Sequence, residues 1–258
     1  MLNFSVCVEM IFRRDAQGKD APMAERIARV AECGAPAIEF WGWQNKNADE
    51  IAGAIQRHKL VVAAMGSGAG NLVDSSKRAE YLDALKKGIE FSKKIGCTTF
   101  LQTVGQEIVG TPREAQHRSI VEGLKAAAPL VEKDGVTLVV EPLNVLVNHK
   151  GYYLVTTKEG VDIVREVGSP NVKLLYDIYH QQISEGNVID TIAANVGVIS
   201  HFHMGDVPGR HEPGTGELNY RNIFKKIETL GYKGFVGMEF APIGDPAKAV
   251  KDTMALAK

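Results

Sequence analysis

Eight short apolar runs, rich in β-branched and aromatic residues, recur along the chain and alternate with longer amphipathic stretches. The runs cover residues 3–10, 37–42, 60–66, 98–104, 137–143, 173–179, 198–204 and 235–240. Such alternation is typical of βα units that feed a parallel sheet. Eight units predict one α/β domain over residues 1–258, a single (β/α)8 TIM barrel whose functional residues lie at the carboxyl ends of the strands.

The stretches between the runs have helical spacing, and many end in glycine, the usual C-cap. These predicted helices cover residues 23–34, 48–58, 75–96, 112–135, 157–168, 188–197 and 220–231. A doubly wound sheet is the alternative fold, but it usually has a glycine-rich phosphate loop after its first strand, and residues 9–20 do not form one. The segment GSGAG at 66–70 lacks GxGxxG spacing and is predicted to be a flexible βα loop.

Charge and cysteine content limit the classes of binding partner and the cellular compartment that we expect. The formal net charge is −1 with both signs interspersed, which argues against a nucleic acid or an anionic membrane and favours a small molecule. Three cysteines without CxxC spacing indicate neither a disulfide framework nor a zinc-thiolate site. Without a recognisable signal peptide or membrane span, we expect a soluble cytoplasmic protein, compatible with a homo-oligomer.

Four charged residues stand at the carboxyl ends of the last four predicted strands. They are Glu141, Asp177, His203 and Glu239, spaced 36, 26 and 36 residues apart, which is one βα unit each time. Adjacent strands of a closed barrel would direct these side chains to one point near the barrel mouth. Three converging carboxylates would repel one another, and a divalent cation resolves that repulsion.

The predicted ligand set is rich in oxygen and has one nitrogen. It suits Mn²⁺ best, with Mg²⁺ or Co²⁺ as alternatives, whereas a structural zinc site would contain more Cys and His. Strand alternation puts His201 on the same face as His203 but one layer deeper, where a hydrogen-bonded core position fits it. Glu39 also points inward by alternation, without an assigned role.

Three further residues are candidates for substrate binding. His180 follows Asp177 by three residues and is predicted to open the loop after the sixth strand, from which it could orient substrate. Trp41, just after the second strand, could lie against the C–H face of a sugar. Arg210 could bind a carboxylate or hydroxyls through its fork of donors, and pairing with Glu212 on the surface is its alternative.

With these residues in place, the chain resembles the hydroxypyruvate isomerase family of the xylose isomerase-like barrel superfamily. The resemblance rests on EPLN at 141–144, YDIYHQQISEGN at 176–187, VPGRHEPGTGELNY at 207–220 and GYKGFVGMEFAP at 231–242. It covers almost the whole chain, and the third motif is the most specific. That motif is expected to form the long loop over the site.

The resemblance implies a metal-dependent isomerase that acts by proton transfer through an enediolate. Glu141 and Glu239 would flank the substrate, bind the metal and exchange the proton, while Asp177 and His203 chiefly hold the ion. The sequence departs from the isomerase family at His203, where glutamine is common, and this histidine resembles the ketose 3-epimerases instead. The stretch VLVNHKGYYL at 145–154 also lacks an expected arginine, which leaves open whether the substrate is hydroxypyruvate or a ketose.

Other functions are compatible with parts of this pattern. A metal-dependent lyase or dehydratase on a keto-sugar or inositol-like substrate would begin with the same proton abstraction. An endonuclease of the same superfamily would need more metal-binding histidines and a basic groove, and the chain has seven scattered histidines. A sugar-binding barrel without catalysis would not need two glutamates beside a metal.

Overall fold

The computed structural model describes residues 2–15 and 17–257, and in this part of the chain parallel strands close into a barrel in chain order, with β8 beside β1. The strands are β1 (Asn3–Cys7), β2 (Ala37–Phe40), β3 (Val61–Gly66), β4 (Thr99–Gln102), β5 (Thr137–Val140), β6 (Val172–Asp177), β7 (Ile199–Met204) and β8 (Phe235–Met238). The helices are α1 (Met23–Glu32), α2 (Ala48–His58), α3 (Arg78–Ile95), α4 (Arg113–Lys133), α5 (Thr157–Val167), α6 (Ile178–Ser184), α7 (Val188–Asn195), α8 (Tyr220–Thr229) and α9 (Pro246–Ala255), with a 3-10 turn at Ser75–Lys77. The predicted TIM barrel is confirmed.

Helix α2 shows how a side-chain cap and an apolar face together define a helix of the barrel. The side chain of Asn47 accepts hydrogen bonds from the backbone N–H groups of Asp49 and Glu50 and so starts α2. Ile51 on that helix is buried against the barrel, and burial of one such side chain contributes about 1.5–3 kcal/mol. Lys59 ends the helix in the left-handed conformation with φ 56°.

The barrel interior is apolar on one side and polar on the other. Strands β3 to β6 contribute a small apolar cluster of Ala64, Leu101, Val139 and Leu175. Strands β1, β2 and β7 contribute Ser5, Glu39 and His201, of which Glu39 contacts the other two, and all three are fully buried or nearly so. A polar layer therefore lies inside the barrel directly below its carboxyl end.

Two helices of the described chain were absent from the sequence prediction. Helix α6 begins inside the predicted run 173–179, because the carboxylate of Asp177 accepts hydrogen bonds from the backbone of Tyr179 and His180 and caps a helix there. Helix α9 begins after Asp245, whose side chain caps it. The observed strands are also up to three residues shorter at their carboxyl ends than the predicted runs, because the chain turns there into the loops that form the site.

The described residues contain no helix that is both long and apolar enough to cross a membrane. Cys7, Cys33 and Cys97 are free and buried, so none of them forms a disulfide.

Candidate metal centre and cavity

The four strand-end side chains meet at the carboxyl end of the barrel. Asp177 ends β6, His203 lies in β7, and Glu141 and Glu239 directly follow β5 and β8. One ligand atom from each lies within 4.8 Å of the corresponding atoms of the other three, and all four residues are buried. This span is about twice a metal–ligand bond of about 2.0–2.3 Å, so the four atoms are close enough to share one ion.

Strand pairing explains this convergence. Asp177 and His203 are register partners in β6 and β7. The backbone N–H of Glu141 donates to Gln102 on β4, and that of Glu239 donates to Met204 on β7, each at 3.0 Å. Backbone hydrogen bonds to the neighbouring strands thus continue for one residue past β5 and β8. These bonds fix the backbone positions from which the side chains of Glu141 and Glu239 extend.

The imidazole of His203 lies between the cluster and the polar layer below it. Its Nδ1 is 3.0 Å from Oε2 of Glu239 and 3.5 Å from Oε1 of Glu141, and its Nε2 is 3.0 Å from Oε1 of Glu39. Neither ring nitrogen meets hydrogen-bond geometry with a described residue, although both are buried. Burial alone would lower the pKa of His203, but the charges of Glu239 and Glu39 raise it well above the ordinary value.

The two glutamates of the cluster differ in acidity. Burial raises the pKa of Glu141 to about 7. Burial also acts on Glu239, but His203 and Arg210 outweigh it and hold the pKa of this carboxyl below its usual range. At neutral pH one carboxylate is therefore ionised, while the other exchanges its proton readily, a pairing suited to acid–base chemistry.

These residues fit a divalent cation. The Nδ1 atom of His203 is a buried polar atom without a hydrogen-bond partner, and it faces carboxylate oxygens of Glu239 and Glu141. Buried carboxylates at this separation repel one another unless a cation or protons neutralise them. Three carboxylates and one imidazole form a donor set that suits Mn²⁺, Mg²⁺ or Co²⁺.

Arg210 projects from the loop between β7 and α8 into the cluster. Its Nη2 donates to Oδ2 of Asp177 at 2.8 Å and also contacts Oε2 of Glu239, while its Nε donates to the backbone oxygen of Glu239 at 3.1 Å. The alternative pairing with Glu212 is absent among the described contacts of this guanidinium, and Glu212 instead accepts a hydrogen bond from the backbone of Ile243. Arg210 is thus a largely buried site residue.

Asp206 organises this loop and was missed by the sequence analysis. Its fully buried carboxylate accepts four backbone hydrogen bonds of 2.9–3.1 Å from residues 207, 214, 216 and 218. Gly216 allows this close approach, because an added Cβ would lie 2.1 Å from the backbone oxygen of Val207. The only available signal was an acidic residue at the start of a glycine-rich loop.

The prediction that His180 opens a loop is wrong, because this residue lies in α6 and is 1% exposed. Its Nδ1 accepts from the backbone and side-chain nitrogens of Asn144, at 3.2 and 2.7 Å. An Nδ1 that accepts leaves the proton on Nε2, which lies 3.5 Å from Oδ2 of Asp177. Burial lowers the pKa of His180 to about 4, so the ring is neutral at physiological pH.

A cavity of about 460 Å³ opens above the cluster. Six of the seven predicted site residues line it, namely Trp41, Glu141, His180, His203, Arg210 and Glu239, and Asp177 lies beneath them. The loop at residues 66–70 forms another part of its wall. Trp41 is 43% exposed, whereas Trp43 packs against Phe91 and donates to the backbone oxygen of Ser67 in the wall loop.

Comparisons with known proteins agree with the fold. The family model for the xylose isomerase-like TIM barrel matches residues 27–258. The chain is 30% identical over 250 residues to the hydroxypyruvate isomerase of Escherichia coli strain K12, covering 94% of each chain. A structure titled as an AP endonuclease, family 2, from Brucella melitensis superposes with a TM-score of 0.91 at 30% identity, covering 99% of each chain. A D-psicose 3-epimerase, solved in the presence of D-fructose, has a TM-score of 0.79 at 24% identity, covering 92% of this chain and 95% of that one.

Proposed function

Because the chain belongs to the xylose isomerase-like TIM barrel family, we propose that it is a divalent-metal-dependent isomerase or epimerase of a small hydroxy-carbonyl compound. The chain is an enzyme of the isomerase or epimerase type, in agreement with its hydroxypyruvate isomerase relative and its epimerase neighbour. The proposal of a metal-dependent reaction rests on one observation. Glu141 and Glu239 belong to the buried cluster that could hold an ion, and both also line the cavity.

Glu141, Asp177, His203 and Glu239 would hold the metal ion, and Mn²⁺ suits this donor set best. When bound, such an ion polarises a carbonyl and stabilises negative charge on substrate oxygens, typically by several kcal/mol.

Glu141 and Glu239 perform the proton transfer in this proposal. Isomerisation or epimerisation removes a proton from the carbon beside a carbonyl, giving an enediolate, and returns a proton to the neighbouring carbon or to the opposite face. Glu239, ionised near neutral pH, can accept that proton, and Glu141, with a pKa of about 7, can supply or take one. Acid–base groups in these roles contribute about 10²–10⁴-fold to rate.

Three further residues bind and orient the substrate. His180 offers a neutral N–H at the cavity wall, which can donate to a substrate oxygen. Arg210 bridges Asp177 and Glu239 and can extend its remaining donors to hydroxyl or carbonyl oxygens. Trp41 presents its partly exposed ring to the cavity, as a surface for the C–H face of a sugar.

The charges of the cavity favour a neutral ketose over a keto acid. Arg210 is the one Lys or Arg side chain among the described residues that line the cavity, and two carboxylates already share it. Burial lowers the pKa values of the lining residues His149 and His180, which keeps both rings uncharged at neutral pH. Apart from the proposed metal ion, a substrate carboxylate would therefore have no cation of its own on this wall. The same wall offers too little positive charge for a phosphate backbone, so we do not propose an endonuclease.

Solvent-deuterium exchange tests this function. The chain would be incubated with added Mn²⁺ in D₂O with ketoses, aldoses and hydroxypyruvate in turn, and the products followed by NMR. We expect metal-dependent deuterium incorporation next to a carbonyl, with formation of an isomer or epimer and with ketoses reacting faster than hydroxypyruvate. Loss of water or of another leaving group would instead establish a lyase or dehydratase. No exchange with any of these compounds would contradict the proposal.

A further inference from the structure

Glu39 lies below the proposed metal site and reaches across the barrel from β2 to β7. Its side chain is fully buried. One carboxylate oxygen, Oε2, accepts a hydrogen bond from Oγ of Ser5 at 2.8 Å and lies 3.0 Å from Nε2 of His201. The other oxygen, Oε1, lies 3.0 Å from Nε2 of His203. The carboxylate therefore faces three potential donors, one of which belongs to a proposed metal ligand.

Gly237 on β8 provides the space for this arrangement. A Cβ atom added at Gly237 would lie 2.4 Å from Oε1 and 2.5 Å from Oε2 of Glu39. Real Cβ atoms do not approach other atoms so closely, so the carboxylate occupies space that any other residue at this position would fill. Gly237 on β8, which has no side chain, thus leaves the space that the carboxylate of Glu39 on β2 occupies.

A neutral imidazole carries its proton on only one ring nitrogen, and the group that accepts that proton decides which nitrogen is free to bind a metal. When His203 binds a metal as the neutral imidazole, the carboxylate opposite Nε2 favours its one proton on Nε2. The lone pair of Nδ1 is then left for the cluster, whose nearest oxygens belong to Glu239 and Glu141, at 3.0 and 3.5 Å.

We propose that Glu39 is a positioning residue that fixes the tautomer and ring orientation of His203 and so sets the metal affinity of the site. The inference rests on the metal site proposed above, and it deepens that proposal by assigning a role to a residue outside the ligand set. The contacts with Ser5 and His201 then hold the carboxylate in place.

The first test measures the tautomer in the unaltered protein, so it does not require the Glu39→Gln or Gly237→Ala variant to fold. The chain would be labelled with ¹⁵N at histidine, loaded with diamagnetic Mg²⁺ and recorded by long-range ¹H–¹⁵N correlation NMR, with the His203 signals assigned by their loss in His203→Gln. We expect His203 to carry its proton on Nε2. A proton on Nδ1 in the Mg²⁺-loaded chain would overturn the proposal.

The second test measures Mn²⁺ affinity by calorimetry without substrate. Glu39→Gln offers an amide in place of the carboxylate, and Gly237→Ala keeps Glu39 but crowds it. Loss of such a partner of a metal ligand typically weakens metal binding by about 10–100-fold, and we expect a loss in this range for both variants. Gly53→Ala is the matched control, because this glycine is exposed on α2 and an added Cβ would meet nothing within 4 Å. It should bind Mn²⁺ as the wild type does.

The outcomes separate this inference from the proposed function. If the wild type and a folded Glu39→Gln variant bind Mn²⁺ equally well, Glu39 is only a structural partner of His201 and the inference is wrong. If the wild type binds no Mn²⁺, the metal site itself is wrong, and the inference is lost with it. If Glu39→Gln does not fold, the tautomer of His203 measured in the wild-type protein decides whether the inference is right.

Discussion

The indole Nε1 of Trp41 donates a 2.5 Å hydrogen bond to Oε1 of Glu239, which joins the loop after β2 to the residue that follows β8. A half-exposed aromatic ring at the cavity mouth is thereby tied to a proposed catalytic carboxylate. This bond, together with the charges of His203 and Arg210, helps to keep Glu239 ionised. The indole therefore has an electrostatic role in addition to its contact surface.

Trp41→Phe should lower kcat/KM by about 10–100-fold, because a hydrogen bond to a charged group contributes about 1.5–3 kcal/mol. The variant keeps an aromatic ring at the cavity mouth, so the fall in kcat/KM measures the contribution of the indole N–H group. Trp43→Phe is the matched control, since it also removes an indole N–H, but one that donates to the backbone oxygen of Ser67 in the cavity wall, at 3.2 Å, and not to a proposed catalytic carboxylate. Steady-state kinetics on both variants check this, and equal rates for the two would contradict the role of Trp41.

Glu239→Gln should retain Mn²⁺ but lose about 10²–10⁴-fold in turnover, because glutamine keeps an oxygen for the ion but cannot accept the proton. Glu141→Gln should behave similarly. If each glutamate serves one side of the substrate, either variant should still exchange deuterium at one carbon while losing net conversion. Calorimetry and NMR measure the two properties separately. Metal binding and conversion at wild-type rates in both variants would show that the glutamates are not the bases.

The sequence was sufficient to predict the barrel and the convergence of the four strand-end residues. Parallel strands covered on both faces appear as continuous apolar runs, and a closed barrel brings the residues at their carboxyl ends together. Helix α6 was missed because Ile178 and Tyr179 extend the apolar run beyond Asp177. Only the capping contacts of that carboxylate show that the chain becomes helical there.

The roles of Glu39 and Asp206 could not be predicted in the same way. Glu39 contacts His201, 162 positions away in the chain, across the barrel interior. Periodicity shows that such a side chain points inward but cannot name its partner. Asp206 acts on backbone N–H groups, whose directions follow from the loop conformation rather than from residue type. Both roles depend on tertiary geometry.

Asp206→Asn should loosen the loop that carries Arg210. The amide NH₂ group cannot accept hydrogen bonds, so about two of the four backbone N–H groups lose their acceptor, at a cost of about 1–3 kcal/mol for each buried group left unpaired. We expect a lower melting temperature and a raised KM. Asp245→Asn is the control, because Asp245 caps α9 at the surface. The Asp245→Asn variant should lower stability slightly and leave KM unchanged. An unchanged KM in Asp206→Asn would show that the loop does not contribute to substrate binding.

Metal affinity should rise with pH between about 6 and 8, because a metal ligand must give up its proton before it binds the ion. Burial raises the pKa of Glu141 to about 7, and the pKa of His203 lies well above its ordinary value because the charges of Glu239 and Glu39 outweigh burial. At pH 6 both groups hold protons that compete with the ion, and at pH 8 Glu141 has largely lost its proton.

Calorimetry at pH 7 in two buffers with different ionisation enthalpies should therefore detect net proton release on Mn²⁺ binding. Glu141→Gln, which has no proton to lose at this position, should release fewer protons than the wild type and show a shallower pH dependence. An affinity that stays constant from pH 6 to 8, without proton release, would mean that neither group is a ligand.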